Sequence, residues 1–321
     1  MSLETSPKLL YLDQNAWIAL ARGAWDKAAY PEQHAALVRV IGGIQSGRIM
    51  TPLSFTNIYE TAKINNPDRR AHLAGVQSSM SGGRVFRGRR RILEKTLTDF
   101  LAAQFEIDVP KPTDAWFLSD LWFEAAADYA PTTFGLDISD RLLAHFREDP
   151  GHALFSFLTD GEEAVRIEGV RRYTADSENL LRKLRENRAL IAEVPFALRR
   201  RVYSARLLIT ELNFILATGR RLGLPWSDVT HLGASLSKSL INDIPVLHAE
   251  RELSLRLEWQ GREPGENDLR DMAAFTTILP LADIFIAEKA FVNLSRQAGL
   301  GKKYGTTLLT NVSDLTEEMV Q

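Results

Sequence analysis

Short apolar segments that each lead into a helical pattern stand at both ends of the chain, and they constrain the fold more than any other feature. Residues 9–12 (LLYL) and the segment RIMTP read as buried strands, and each is followed by a helical pattern. Near the C-terminus, ADIFIA and GTTLLTNV read as further strands on either side of the helix EKAFVNLSRQAG. Alternating strands and helices are typical of a parallel sheet covered by helices. We therefore predict an α/β fold whose first two strands lie side by side.

The segment between these ends has a different character. Helical spacing of apolar residues recurs in RRRILEKTLTDFLAAQF, DAWFLSDLWFEAAADY, SENLLRKLRENRALIAEV and RRVYSARLLITELNFILAT. The pattern predicts a mostly α-helical insertion over residues 67–255. Residues 1–66 and 256–321 would then form the two halves of one α/β domain.

Composition excludes several classes of site and compartment. The chain contains no cysteine, which excludes disulfides, thiolate nucleophiles and zinc–cysteine sites and agrees with a reducing compartment. The first residues show no signal-peptide pattern, and no segment approaches 18 uninterrupted apolar residues. We expect a cytoplasmic protein with no membrane partner.

Four acidic residues are expected near one edge of the sheet: one at the end of the first strand, one a turn or two into the helix after the second strand, one in the first turn of a later helix, and one just past the strand ADIFIA. They are Asp13, Glu60, Asp271 and Glu288. The carboxyl ends of parallel strands share one edge of a sheet, and ligands bind outside that edge. Converging carboxylates repel one another unless a cation neutralises them, and sites made only of oxygen ligands select hard ions such as Mg²⁺ or Mn²⁺.

Each acid also has a purely structural interpretation. Asp13 is well placed to cap the helix that follows it, and Glu60 fits the acidic start of another helix. Asp268 with Asp271 fits an N-cap and N3 pair. Asp283 would lie about 16 Å from Glu288 along an extended strand, so we expect it to support the site rather than bind a metal.

Three segments together resemble the PIN-domain nucleases. YLDQNAWIAL is similar to the family's opening strand, PLSFTNIYETAK to its second acidic motif, and DLRDMAAFTTILPLADIFIAEKAF to its last two. The resemblance implies a three-layer α/β/α domain with a short parallel sheet. The chain departs from the family's pattern in having Glu288 in place of an aspartate and Ala287 in place of a threonine.

The resemblance also implies an activity. A PIN-like protein would hydrolyse phosphodiester bonds in nucleic acid, with RNA favoured over DNA, and would hold Mg²⁺ or Mn²⁺ with the four acids, which would be both metal ligands and catalytic residues. Asn15 would orient Asp13 or a water, and Lys289 would contact a phosphate oxygen. Asp268 and Asp283 would support the site.

Two arginine runs could contact a polyanionic substrate. The first follows the break MSGG and contains Arg84, Arg87, Arg89, Arg90 and Arg91. The second is Arg199 to Arg201. We predict that the first run binds nucleic acid; the alternative is a solvated helical face.

Other functions stay open at this stage. A non-catalytic PIN-like scaffold that binds nucleic acid or a protein would also explain the altered residues 287 and 288. A haloacid-dehalogenase type of phosphohydrolase would need an aspartate at position 15, where this chain has Asn15. The sequence leaves open whether a protein partner neutralises the enzyme.

Overall fold

The computed structural model describes residues 6–111, 113–126, 139–191, 193–261 and 263–320. Six strands lie in these ranges: β1 (Lys8–Leu12), β2 (Ile49–Met50), β3 (Val85–Phe86), β4 (Leu118–Ser119), β5 (Ile284–Ile286) and β6 (Thr307–Leu309). The helices of the same ranges are α1 (Gln14–Trp25), α2 (Pro31–Gln45), α3 (Phe55–Ala62), α4 (Pro67–Ser81), α5 (Arg89–Gln104), α6 (Asp140–Glu148), α7 (Pro150–Thr159), α8 (Glu163–Ile191), α9 (Phe196–Arg221), α10 (Gly233–Asp243), α11 (Pro245–Trp259), α12 (Glu266–Thr277), α13 (Lys289–Gln297), α14 (Leu300–Tyr304) and α15 (Glu317–Val320).

The chain forms two compact units. The first, called the sheet unit, comprises Met1–Gly88, Phe117–Ala175 and Ile278–Gln321. The second, called the helical unit, comprises Arg89–Trp116 and Asp176–Thr277. These boundaries differ from the predicted ones, because residues 67–88 and 117–175 belong with the sheet and residues 256–277 belong with the helices.

A four-stranded parallel sheet organises the sheet unit. Its strand order is β2-β1-β5-β6, and all three neighbouring pairs are parallel. The predicted neighbourhood of the first two strands is confirmed by the pairing of Lys8 with Ile49. Leu10 and Leu12 point into the main core with Ile284, whereas Tyr11 packs its ring 4.4 Å from the ring of Phe285. Burial of successive residues is expected of parallel strands that are covered on both faces.

The predicted helices next to the sheet are confirmed. Ser54 caps α3 by accepting a hydrogen bond from the Asn57 N–H, and the Asn57 side chain accepts one from the Ser54 N–H, which completes a capping box. Gly47 and Gly299 adopt positive φ angles just after α2 and α13. Glycine in this left-handed conformation commonly ends a helix.

The predicted helix over DAWFLSDLWFEAAADY is wrong for residues 114–126, and residues 127–129 lie outside the described part. Here β4 pairs antiparallel with β3, followed by a short 3₁₀ turn at Trp122–Ala125. Two features prevent a helix. Ala115 has a φ of 57°, and the carbonyl of Phe117 accepts a hydrogen bond from the Arg87 N–H. The backbone bonds that a helix would need are thus made elsewhere.

The helical unit packs α5, α9, α10, α11 and α12 with the second part of α8. Buried acidic residues are a feature of its interior: Glu211, Glu252 and Glu258 each have side chains 5–6% exposed, and each is paired with arginine. Buried carboxylates are tolerated only when they are paired in this way. In the described ranges no helix combines the length and the apolar character needed to cross a membrane.

Candidate functional site

The order in which the chain adds strands to the sheet reverses between β1 and β5. The chain leaves β1 toward β2 on one side and leaves β5 toward β6 on the other, so the two central strands form the topological switch point. Asp13 directly follows β1, and its N–H donates to the carbonyl of Ile286 at 2.9 Å. Glu288 follows β5 by two residues. In open parallel sheets the crevice at this point is the usual place for a ligand.

Asp13 caps α1 as the sequence predicts. Its Oδ1 accepts a hydrogen bond of 2.7 Å from the Ala16 N–H, and its backbone is extended. The interpretation of Asp13 as a helix cap is therefore confirmed. It does not exclude a second role, because the same carboxylate also lies close enough to Glu60 and Glu288 for their charges to raise its pKa.

Glu60 is brought to this edge by the start of α3. The side chain of Asn57 donates to the Leu12 carbonyl at 3.2 Å, one residue before Asp13. Ser54 also contacts β1, through a 3.4 Å hydrogen bond between its hydroxyl and that of Tyr11. These buried bonds fix α3 against the end of β1. Glu60, five residues into that helix, is half-buried.

Glu288 occupies the N-cap position of α13, and its side chain makes no capping hydrogen bond. The side chain is exposed, in contrast to those of Asp13 and Glu60. Ala287, buried beside it, donates its N–H to the Leu309 carbonyl of β6. The Ala287 N–H therefore holds this backbone against β6. The Glu288 side chain extends from the end of β5 into solvent.

The electrostatics of Asp13 reflect this crowding of acids. The pKa of the Asp13 carboxyl is raised from 3.8 to about 6. Burial contributes most to the rise in pKa and repulsion by Glu60 and Glu288 adds to it, while hydrogen bonds from the Ala16 and Glu288 N–H groups act in the opposite direction. A raised pKa of this kind marks a carboxylate whose charge is poorly compensated. Such groups concentrate at functional sites.

A buried polar network next to these acids was not predicted from the sequence. The Gln14 side chain donates to the Thr61 hydroxyl at 3.0 Å, Thr61 donates to Gln77 at 2.8 Å, and Gln77 returns a 3.3 Å hydrogen bond to Gln14. All three residues are buried. Gln14 follows Asp13 and Thr61 follows Glu60, so the ring ties the two acid-bearing helices to α4. Gln14 is the one polar residue among the buried residues of α1, which is the signal that the sequence offered.

The residues predicted to support the acids lie at different places in the sheet unit. Asn15 lies in the first turn of α1 with an exposed side chain, and in the described ranges no hydrogen bond joins it to Asp13. Lys289 is exposed at the start of α13, beside Glu288. Asp283 stands at the opposite end of β5, where its carboxylate accepts a 2.7 Å hydrogen bond from the Leu9 N–H. Asp283 therefore joins two strands at the far edge, as its predicted distance from Glu288 requires.

Asp268 and Asp271 belong to the helical unit, within α12. Asp268 is not the N-cap that was predicted, because the helix begins at Glu266. Its carboxylate instead accepts a 2.7 Å hydrogen bond from the Gly265 N–H, as the third residue of a capping box does. Asp271 is half-buried in the next turn. The acidic cluster of the sheet unit thus consists of Asp13, Glu60 and Glu288.

The first arginine run is largely engaged in ion pairs within the protein. Arg87 is bound to Glu124, while Arg89 bridges Glu211 at 2.9 Å and Glu250 at 2.6 Å. Arg90 contacts Glu211 at 2.7 Å. Arg84 is exposed and lies 3.5 Å from Asp120, and Arg91 is half-buried. These contacts support structural roles for the central arginines rather than the predicted surface for nucleic acid.

The MSGG segment before this run is a packed turn. Gly82 and Gly83 both have positive φ angles. A side chain at Gly83 would lie 2.2 Å from the backbone carbon of Pro150. The glycine is therefore required by the close approach of α7.

The three acids of the sheet unit have the right chemistry for a hard cation. All their donors are oxygens, and a cation would relieve the repulsion that raises the Asp13 pKa. Their present side-chain positions do not converge on one point, since no group of three or more His, Asp or Glu residues in the described ranges is placed to hold a metal ion.

Comparisons with protein-family models, with curated proteins and with solved structures find no match to this chain.

Proposed function

We propose that the protein is a divalent-metal-dependent nuclease with a PIN-like sheet unit, acting on RNA in preference to DNA. One observation carries the proposal: carboxylates from three separate segments lie near the topological switch point of a parallel sheet, close enough for Glu60 and Glu288 to raise the pKa of Asp13. The choice of RNA follows the resemblance to the PIN-domain nucleases.

Asp13, Glu60 and Glu288 would hold Mg²⁺ or Mn²⁺. A bound ion of this kind supplies a water of lowered pKa and stabilises charge on the phosphate. The chain's own residues set the geometry. Asp13 is held by the Ala16 N–H, and the α3 helix that carries Glu60 is held by Asn57. Lys289, next to the exposed Glu288, would contact a phosphate oxygen of the substrate.

The resemblance also implies Asp271 as a ligand. This expectation is tested by the Asp271→Asn variant. Loss of metal affinity in that variant would support the fourth ligand, and unchanged affinity would limit the site to the acids of the sheet unit.

A non-catalytic PIN-like scaffold is the second candidate. It is favoured by the incomplete convergence of the described acids and by Ala287 and Glu288, which replace the family's usual threonine and aspartate. A scaffold has no requirement for a metal. The two candidates therefore differ in their response to Mn²⁺.

The deciding experiment is a calorimetric titration with Mn²⁺, followed by cleavage of labelled single-stranded RNA and DNA. Asp13→Asn and Glu288→Gln should both lose metal affinity and cleavage. Glu317→Gln removes an equally exposed glutamate from α15 and should retain both. Absence of Mn²⁺ binding by the unchanged protein, or equal binding by the Asp13→Asn variant, would favour the scaffold.

A further inference from the structure

A positively charged cleft opens in the helical unit, remote in sequence from the acids of the sheet. It has a volume of about 700 Å³, within the range of ligand sites in proteins. Its walls come from α9, α10 and α11.

The charges of the cleft are one-sided. Four of its lining residues are cationic, namely Arg200, Arg201, Lys238 and Arg251, and none of the described lining residues is acidic. Arg201 and Lys238 are exposed on two different helices. No ion-pair partner within 4 Å is found for either of them among the described residues. Cations placed around a concavity attract anions more strongly than cations scattered on a convex surface.

One carboxylate behind the cleft is shared by three guanidinium groups. Glu252 lies 2.6 Å from Arg200, 2.8 Å from Arg251 and 2.9 Å from Arg256. Burial acts to raise the pKa of Glu252, but hydrogen bonding to Arg256 and attraction to the other two arginines lower it below its usual value. Glu252 thus pairs with two of the four cationic lining residues, Arg200 and Arg251. Arg201 and Lys238 keep the wall of the cleft positively charged.

Arg251 gives the cleft a fixed positive charge. Its side chain is only 4% exposed, and its guanidinium is held 2.6 Å from the Asn242 side-chain oxygen as well as by two hydrogen-bonding contacts to Glu252. These contacts occupy its donors, so direct contacts to a phosphate would come from the exposed Arg201 and Lys238. The planar guanidinium fork of Arg201 matches the geometry of phosphate oxygens.

The remaining lining indicates what accompanies the anion. Ser237 can exchange hydrogen bonds with a polar ligand, whereas Leu208 and Ile241 offer an apolar wall. We infer that this cleft binds the phosphate of a nucleotide, either free or within a nucleic-acid strand, with the base or sugar against the apolar wall. Two sources share this chemistry, and a binding experiment distinguishes them.

The inference does not depend on the proposed metal site. Binding should be measured on the full chain in EDTA, and repeated with Asp13→Asn, so that failure of the nuclease proposal leaves the result unchanged. The probes are AMP, followed by calorimetry, and a labelled single-stranded RNA of about ten nucleotides, followed by fluorescence anisotropy.

The test variant is Arg201→Ala with Lys238→Ala, since both side chains are exposed and their loss should leave the fold intact. The matched control is Lys111→Ala with Lys302→Ala, which removes two exposed positive charges outside the cleft. We expect the cleft variant to weaken binding by about a hundredfold, from roughly tenfold for each lost charged contact. The control should change it by less than about threefold.

Binding of AMP that depends on the cleft would identify a free nucleotide as the ligand. Binding of the RNA alone, with an affinity that falls steeply with salt and less steeply in the cleft variant, would identify the strand. Equal losses in the cleft variant and the control would reduce the effect to nonspecific attraction and overturn the inference. Absence of binding to both probes would overturn it as well.

Discussion

The charge of Asp13 can be removed without removing its hydrogen-bond acceptor. In Asp13→Asn the side-chain oxygen can still accept from the Ala16 N–H, because asparagine caps helices as well as aspartate does. What disappears is a carboxylate that is buried and repelled by Glu60 and Glu288. The rise of its pKa from 3.8 to about 6 corresponds to about 3 kcal/mol against the ionised form.

The sign of the pH dependence follows from this shift. The folded state binds the Asp13 proton more tightly than the unfolded state, so its contribution to stability is fully present below about pH 4 and is lost as the pH rises through about 6. Replacement by asparagine forfeits about 0.5 kcal/mol of favourable interaction with the helix dipole. We therefore expect Asp13→Asn to raise the free energy of unfolding by about 2.5 kcal/mol at pH 7.5 and by almost nothing at pH 4.

Urea unfolding in EDTA, followed by circular dichroism at both pH values, measures this difference. Asp13→Ala serves as the control, since it removes the charge and also the cap, and the lost cap costs about 1 kcal/mol. A variant Asp13→Asn that is no more stable than the unchanged protein at pH 7.5 would refute the reasoning. So would a gain of equal size at pH 4, because that gain could not come from ionisation.

Two further substitutions test the structural roles found in the arginine run and the turn before it. Arg89→Ala should lower the free energy of unfolding by about 3 kcal/mol, because it leaves the buried Glu211 with one partner fewer. Arg91→Ala should lower it by about 1 kcal/mol or less. Equal losses of the two variants in urea unfolding would contradict the pairing of Arg89 with Glu211. Gly83→Ala should lower the free energy of unfolding by about 3 kcal/mol, because its Cβ would meet the backbone of α7. Gly47→Ala, with a similar φ of 69° but open space around it, should lower it by only about 1 kcal/mol in the same assay. Similar losses would show that α7 moves to accommodate the methyl group.

The sheet could be predicted because its strands are short runs of apolar residues that end at polar ones. In β1, four consecutive buried residues end at Asp13, and a strand covered on both faces leaves that signature in any context. The cap at Ser54 was equally readable, since its partner Asn57 lies three residues along the same helix. Interactions that are local in sequence are the ones a sequence displays.

The predictions that were wrong concern residues whose partners lie far away along the chain. The aromatic spacing around Trp116 and Trp122 resembles a helix, but the conformation there depends on Ala115 with its positive φ and on Arg87, almost thirty residues earlier. The arginine run looked free because its main partner, Glu211, lies more than a hundred residues away along the chain. Charge is visible in a sequence, whereas the pairing of charges across a fold is not.

Asp13 combines a capping role that is local in the sequence with charge repulsion from residues that are distant in the sequence. If capping α1 were the only task at this position, asparagine would serve equally well and avoid the unfavourable ionisation. The carboxylate instead sits between Glu60 and Glu288 at the switch point, where its charge lowers stability at neutral pH. Local destabilisation of this kind is common where a site is arranged for a ligand that neutralises it. Excess Mn²⁺ should therefore raise the thermal midpoint of the unchanged protein and not that of Asp13→Asn, reversing their order of stability. If the order stays the same at saturating Mn²⁺, the charge at position 13 does not serve a metal, and capping alone accounts for the residue.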